Sequence, residues 1–249
     1  MPSHAVVIPA YNEAATLRDV ATRALAQARR VIVVDDGSSD ATAASVAGLP
    51  VTLLRNDANL GKAASLWRGM QAALTDGADA VITLDGDGQH APEDIPRLLA
   101  AAAARPASLI IGARRGDRAR IPAMRYYANR FANFWLSWAS GQRLPDSQSG
   151  FRLYPAALLA RLRVPHGKGR GFVFESEVLI EAARLGFPTV AVDIPAVYRP
   201  GARPSHYRHR DSLRITAMVA GKLLKRGLYP QGLYRAYLRP LFVRRSGSE

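Results

Sequence analysis

The chain of 249 residues contains no cysteine. Disulfides, thiolate catalysis and cysteine-ligated zinc are therefore excluded, and the composition fits a reducing compartment. No run approaches the roughly 18 to 20 apolar residues that a membrane-spanning helix needs; the longest, Leu98 to Ala104, is a short alanine-rich piece. GxGxxG and P-loop signatures are absent, which disfavours dinucleotide oxidoreductases and P-loop kinases. No internal repeat or low-complexity tract occurs, and the N-terminus enters a strand-like run with no basic leader, as expected of a protein without a signal peptide. Acidic residues are scarce, 20 against 34 Lys and Arg, for a formal charge of +14. The excess is localised: segment 111–130 holds six arginines against Asp117, and segment 203–245 holds eleven Lys or Arg against Asp211. Such patches attract polyanions, whether nucleic acid, anionic lipid headgroups or phosphorylated substrates.

What is present is a globular composition, 48% hydrophobic and 8% aromatic, long enough for one domain with a real core. The first 112 residues alternate apolar runs (Ala5–Ile8, Val31–Val34, Val51–Leu54, Ala80–Leu84, Leu109–Ile111) with helical stretches near 14–28, 40–47, 62–74 and 93–104. This alternation predicts βαβ units and a mostly parallel sheet, and the continuous apolar strands predict cover on both faces. Asp40 suits a helix cap and Pro92 a first-turn position. Beyond residue 112 the alternation fades. Phe131, Phe134, Trp135 and Trp138 form an aromatic stripe at helical spacing, suited to the core or to an interfacial helix. Phe172–Leu185 reads as a helix bearing Glu175 and Glu177, Val190–Ile194 as a last strand, and the residues from about Leu213 as a basic amphipathic tail with Lys222, Lys225, Arg226, Arg235 and Arg239.

Ligands of open parallel sheets bind beyond the carboxyl ends of the strands, and polar clusters recur there. The first strand ends in Pro9-Ala10-Tyr11-Asn12-Glu13, the second in Asp35-Asp36-Gly37-Ser38-Ser39-Asp40, the fourth in Asp85-Gly86-Asp87-Gly88-Gln89-His90, the fifth in Gly112-Ala113-Arg114-Arg115. Asp85 and Asp87 taken alone suit either a polar turn or a hard-cation site, since Mg²⁺ and Mn²⁺ take one or two carboxylates together with nucleotide phosphates. Four such clusters on one edge favour the site.

Seven stretches, in order, resemble family 2 glycosyltransferases of the GT-A fold, and within them the polyprenol-phosphate (dolichol-phosphate) mannose and glucose synthases: VVIPAYNEAATL (6–17), VVDDGSSD (33–40), NLGKAASLWRGM (59–70), LDGDGQHAPEDIP (84–96), IIGARR (110–115), DSQSGFRLYP (146–155) and FESEVLIEA (174–182). The resemblance spans residues 5 to about 215. It implies an α/β GT-A domain over 1–212, with a nucleotide-sugar half to about 112, an acceptor half beyond it, and basic amphipathic helices over 213–249. It implies that Pro9, Tyr11, Glu13, Val34, Asp36 and Lys62 meet the nucleotide sugar. Asp85, Gly86, Asp87 and Gln89 would hold its diphosphate, with Asp85, Asp87 and Gln89 around the Mg or Mn cofactor. Arg114, Arg125 and Asn129 would take the acceptor's phosphate, and Arg203 and Ser205 a segment closing over the donor. This chain reads Arg-Pro-Gly-Ala-Arg-Pro-Ser there, one residue off the commoner spacing, so that Arg199 and Arg203 compete for one role.

The implied activity is inverting, metal-dependent transfer of a hexose (mannose or glucose) from a GDP-mannose or UDP-glucose type donor to a polyprenyl phosphate, by a cytoplasmic enzyme peripheral to the membrane. The chemistry accords: a cation and arginines stabilise charge on the leaving phosphate, and a phosphate acceptor is already an anionic nucleophile. Asp87 and Arg114 are the catalytic candidates on that reading. A hydroxyl acceptor on a glycan or glycolipid would instead need a carboxylate base, for which Asp146, Glu175 and Glu177 are candidates beside their blander roles as a loop cap and a solvated helix face. A non-catalytic basic module binding membrane or nucleic acid is the third reading; acids on the sheet edge argue against it.

Overall fold

A computed structural model describes residues 3–114, 123–195 and 209–238, the side chains of 123–126 and 209–210 excepted. Apolar β-branched runs build a seven-stranded sheet, β1 (His4–Ala10), β2 (Val31–Asp35), β3 (Thr52–Arg55), β4 (Ala80–Thr83), β5 (Leu109–Arg114), β6 (Arg152–Pro155) and β7 (Thr189–Ile194), in the order β3-β2-β1-β4-β6-β5-β7. The expected mostly parallel α/β sheet is present. Every pairing is parallel except those of β6, which runs antiparallel to both β4 and β5. β6 lies inside the DSQSGFRLYP stretch and had no strand-like signal: four residues ending in Pro, with an arginine at the start. Because it runs backwards, the loop that precedes it arrives at the carboxyl edge of the sheet.

Among the described residues the sheet is joined by helices α1 (Leu17–Leu25), α2 (Thr42–Ser45), α3 (Lys62–Thr75), α4 (Ile95–Ala104), α5 (Ala123–Ser140), α6 (Ala156–Arg161), α7 (Gly171–Arg184), α8 (His209–Lys225) and α9 (Pro230–Leu233), with a short π-helical segment at Tyr234–Leu238. Successive side chains of β1 take opposite faces, so Val6 and Ile8 pack with Leu17, Val20 and Leu98 of α1 and α4, whereas Val7 packs with Leu66, Met70, Leu136, Phe174 and Val219. Both faces are thereby covered, as continuous apolar strands require. Asp40 is not the cap expected of it: the N-cap of α2 is Ala41, and Asp40 one residue earlier accepts the Thr42 amide at 2.9 Å in a local turn, whereas Pro92 opens a 3₁₀ turn before α4.

Beyond β7 the described residues 209–238 are helical apart from a turn at 226–229. Ile215, Val219 and Leu223 of α8 are buried in the core shared with α7, while Leu213 and Leu224 on its other side are exposed. The aromatic stripe of α5 is divided: Trp135 and Trp138 stack at 5.2 Å, and Phe131 and Phe134 stand exposed.

α3 lies close on the sheet because residue 69 is glycine. A Cβ there would stand 2.4 Å from Val7 Cγ1 and 3.0 Å from Val34 Cγ2. Gly69→Ala gains up to about 1 kcal/mol of helix propensity, but overpacking a filled core costs about 1–3 kcal/mol. A net loss of stability in urea unfolding is the expected outcome.

Candidate functional site

The loops that follow β1, β2 and β4 and the carboxyl end of β5 converge on a cleft of about 1960 Å³. The β1 and β2 loops interlock. The Asn12 amide, in the left-handed region at φ 56, donates to Ser38 Oγ at 2.9 Å, and the Glu13 amide donates to Thr42 Oγ1 at 2.8 Å. Pro9, Tyr11 and Glu13 line the cleft. Asp36 lines it too, but its carboxylate also organises the entry to α3, accepting the Leu60 and Gly61 amides at 2.9 and 2.8 Å and Asn56 Nδ2 at 2.8 Å. Gly61 has φ 92, a backbone only glycine adopts without strain. Val34 is fully buried under α3, paired with β1 and β3 on either side, and does not line the cleft.

At the exit of β4, Asp85, Gly86, Asp87 and Gln89 all face the cleft. Lys62 Nζ sits 2.8 Å from Asp85 Oδ1 and 3.2 Å from Glu175 Oε2. Burial alone would pull the lysine pKa down, yet Asp85 and Glu175 outweigh it and raise it. Burial likewise opposes the Asp85 charge, and Lys62 first and Arg114 after it overcome that and hold its carboxyl below the usual range. Asp87 is different: burial and the Asp85 charge push it up to about 6, even though the Gln89 amide donates to Asp87 Oδ1 at 2.9 Å. The turn and the site therefore coexist in one residue. Among the described residues no three of His, Cys, Asp or Glu gather around a point. Two adjacent carboxylates, one of them unsettled by excess negative charge, nevertheless fit Mg²⁺ or Mn²⁺, which keeps several ligands from water and substrate phosphates. His90, 2% exposed, also lines the cleft with Nδ1 lacking a partner; burial lowers its pKa to about 4, so the ring is neutral.

The loop before β6 forms the next wall. Arg114 grips Asp146 through Nε and Nη2 at 2.9 and 3.2 Å, and its amide donates to the same carboxylate at 3.1 Å. Burial opposes the Asp146 charge, but Arg114 holds the carboxyl below its usual range. Arg114 lines the cleft and Asp146 does not. Arg152 is fully buried and donates to the carbonyls of Ser149, Glu175 and Ser147 at 2.8, 2.6 and 2.8 Å. Asn133 of α5 accepts the Ser147 amide at 2.9 Å and donates to the Pro145 carbonyl at 2.7 Å.

Each candidate base is thus committed to a cation: Asp146 to Arg114, Glu175 to Lys62, and Glu177 to Arg170 and, at 2.9 Å, to Lys222. Glu177 lies away from the cleft, tying α7 to α8. Asn129 lines the cleft from α5. Arg125 lies one helical turn before it, its side chain outside the described residues, as are Arg199, Arg203 and Ser205. Sequence reasoning missed His90, Gln148, Lys168 and Arg214 as cleft residues, and it missed the cleft's far end. There Phe131, Trp135, Leu136, Ile215 and Val219 form an apolar channel between α5 and α8, continuous with the acidic end. The aromatic spacing on α5 was the one available signal.

Comparison with known proteins agrees with this geometry. The model of the family described as Glycosyl transferase family 2 matches residues 5–162. An undecaprenyl-phosphate mannosyltransferase of Micrococcus luteus is 30% identical over 208 residues, covering 78% of this chain and 83% of that protein. A polyprenol monophosphomannose synthase of Mycolicibacterium smegmatis is 30% identical over 200 residues, covering 76% of this chain and 75% of its own length. Among solved structures, glucosyl-3-phosphoglycerate synthase from Mycobacterium tuberculosis, in complex with Mn²⁺, UDP-glucose and phosphoglyceric acid, superposes with a TM-score of 0.69 at 22% identity, over 89% of this chain and 79% of that one. That likeness shows a shared GT-A fold.

Proposed function

This chain belongs to glycosyl transferase family 2 and is a glycosyltransferase, and we propose that it transfers a hexose, with inversion, from a nucleoside diphosphate sugar to a polyprenyl phosphate at the cytoplasmic face of a membrane. The observation that carries the reading is the continuity of one cleft from the acidic sheet edge to the apolar channel between α5 and α8. A sugar nucleotide suits the first end and a lipid chain the second, with the reacting atoms between them. The names of the two relatives support a polyprenyl phosphate acceptor, and the solved structure's Mn²⁺ and UDP-glucose support a metal-dependent nucleotide-sugar donor.

In this mechanism Pro9, Tyr11, Glu13 and Asp36 receive the nucleoside at the exits of β1 and β2. Asp85 and Asp87 would hold a divalent cation, which when bound would supply positive charge to the departing diphosphate. Gln89 and Gly86 border that diphosphate. Arg114, oriented by Asp146, and Asn129 place the acceptor phosphate. One phosphate oxygen attacks the anomeric carbon as the bond to the diphosphate breaks, releasing the nucleoside diphosphate. No proton has to be removed from such a nucleophile, which accords with the ion pairing of Asp146, Glu175 and Glu177. A hydroxyl acceptor would need one of them unpaired.

No helix among the described residues is long and apolar enough to cross a membrane. Exposed Tyr127, Phe131, Phe134, Leu213, Leu224 and Leu228 suit contact with a bilayer's boundary, and Lys225, Arg226 and Arg235 suit anionic headgroups at about 1 kcal/mol each. The test offers radiolabelled GDP-mannose or UDP-glucose with undecaprenyl phosphate or undecaprenol in the same vesicles. Label is expected in an acid-labile lipid phosphodiester with the phosphate alone. Equal labelling of the alcohol would overturn the assignment.

A further inference from the structure

The donor end of the cleft already contains a cation belonging to the protein. Lys62 is the first residue of α3, and its ammonium bridges Asp85 at the exit of β4 and Glu175 on α7, at 2.8 and 3.2 Å. Glu175 is 5% exposed, and a phosphate acceptor, being already anionic, requires no base from it. Gly150 closes the cluster from below: a Cβ there would stand 2.7 Å from Asp85 Oδ2 and 3.1 Å from Glu175 Oε1. The lysine's own entry is fixed by the Leu60 and Gly61 amides on Asp36. Four separate parts of the chain therefore converge to hold one ammonium beside the carboxylates that suit a metal.

A divalent cation arriving alone at Asp85 and Asp87 meets that fixed positive charge at a few ångströms, where repulsion stays strong even at the effective dielectric of a protein. A diphosphate arriving with the cation brings negative charge that offsets it and gives the lysine a second partner. We propose that Lys62 is a resident counter-cation that admits the divalent metal only in company with a nucleoside diphosphate. The proposal rests on the donor site assigned above. Its consequence is reciprocal coupling, each ligand raising the affinity of the other by the same factor.

Mn²⁺ binding to the full chain, followed by the electron paramagnetic resonance of the free ion with and without GDP or UDP, tests it. Lys62→Met is expected to bind Mn²⁺ alone at least about tenfold more tightly than the wild type, and the gain from saturating nucleotide is expected to shrink correspondingly. Glu175→Gln keeps the lysine and removes a negative charge, so it should bind Mn²⁺ alone more weakly. A merely structural role would weaken binding in both variants. Unchanged Mn²⁺ affinity in Lys62→Met, with metal-dependent nucleotide binding intact, overturns the role of the lysine and leaves the donor site standing. Absence of metal-dependent binding of either nucleotide to the wild type overturns the donor site and the proposal together. If Lys62→Met gives no native thermal transition, Lys62→Gln, which keeps a polar side chain without the charge, takes its place under the same expectation, and Mn²⁺ binding no tighter than wild type overturns the proposal.

Discussion

Asp87→Ala is expected to lower glycosyl transfer by about a thousandfold or more while leaving the fold intact, since it withdraws the carboxylate best placed to hold charge against the leaving diphosphate. The stability half of that expectation follows from the residue's electrostatics. Burial and Asp85 raise its pKa in the fold to about 6, above the ordinary carboxylate value. A raised carboxylate is less favourable ionised in the folded chain than in the unfolded one, so its penalty is fully present above pH 6 and vanishes below the unfolded value. At pH 7 the alanine variant should therefore melt no lower than the wild type, its one lost hydrogen bond being the cap from the Gln89 amide. A variant that keeps its turnover would remove Asp87 from the site. A variant that loses both turnover and melting transition would make it a structural turn.

Arg152→Ala has the largest expected effect on stability. The guanidinium is fully buried and satisfies the carbonyls of Ser147, Ser149 and Glu175. Its removal takes a donor from each, leaving the loop carbonyls of Ser147 and Ser149 most exposed to the loss because that of Glu175 keeps its helical partner, and opens a cavity beneath the loop that brings Asp146 to Arg114. Hydrogen bonds to a charged group contribute about 1.5–3 kcal/mol each, and unsatisfied buried acceptors cost about as much. After partial relaxation a loss of about 3–5 kcal/mol is expected, enough to lower the urea midpoint sharply and to disorder the acceptor side before the sheet. Loss of less than about 1 kcal/mol would mean that water replaces the guanidinium.

The parallel sheet was legible because its strands are apolar runs and its helices recur at regular spacing; β1, β2, β4 and β5 lie where the runs predict. β6 was not legible, since Arg152-Leu-Tyr-Pro155 becomes a strand only by lying between β4 and β5. The acidic half of the site was legible for the same reason as the sheet: side chains after a strand must emerge at its carboxyl edge. The roles of Glu175 and Glu177 were not. Spacing on a helix tells which face a glutamate takes, not which distant cation meets it.

The sequence by itself therefore determined that Asp85 and Asp87 stand with Pro9, Tyr11, Glu13 and Asp36 on one edge, because strand order and direction follow from local pattern. Only the tertiary structure decided which charges remain available there. Arg114 and Asp146 are 32 residues apart and bond directly, and Lys62 and Glu175 are brought together from α3 and α7. Such pairings depend on the reversal of β6 and on helices crossing the sheet's far face, and no short stretch of chain encodes them.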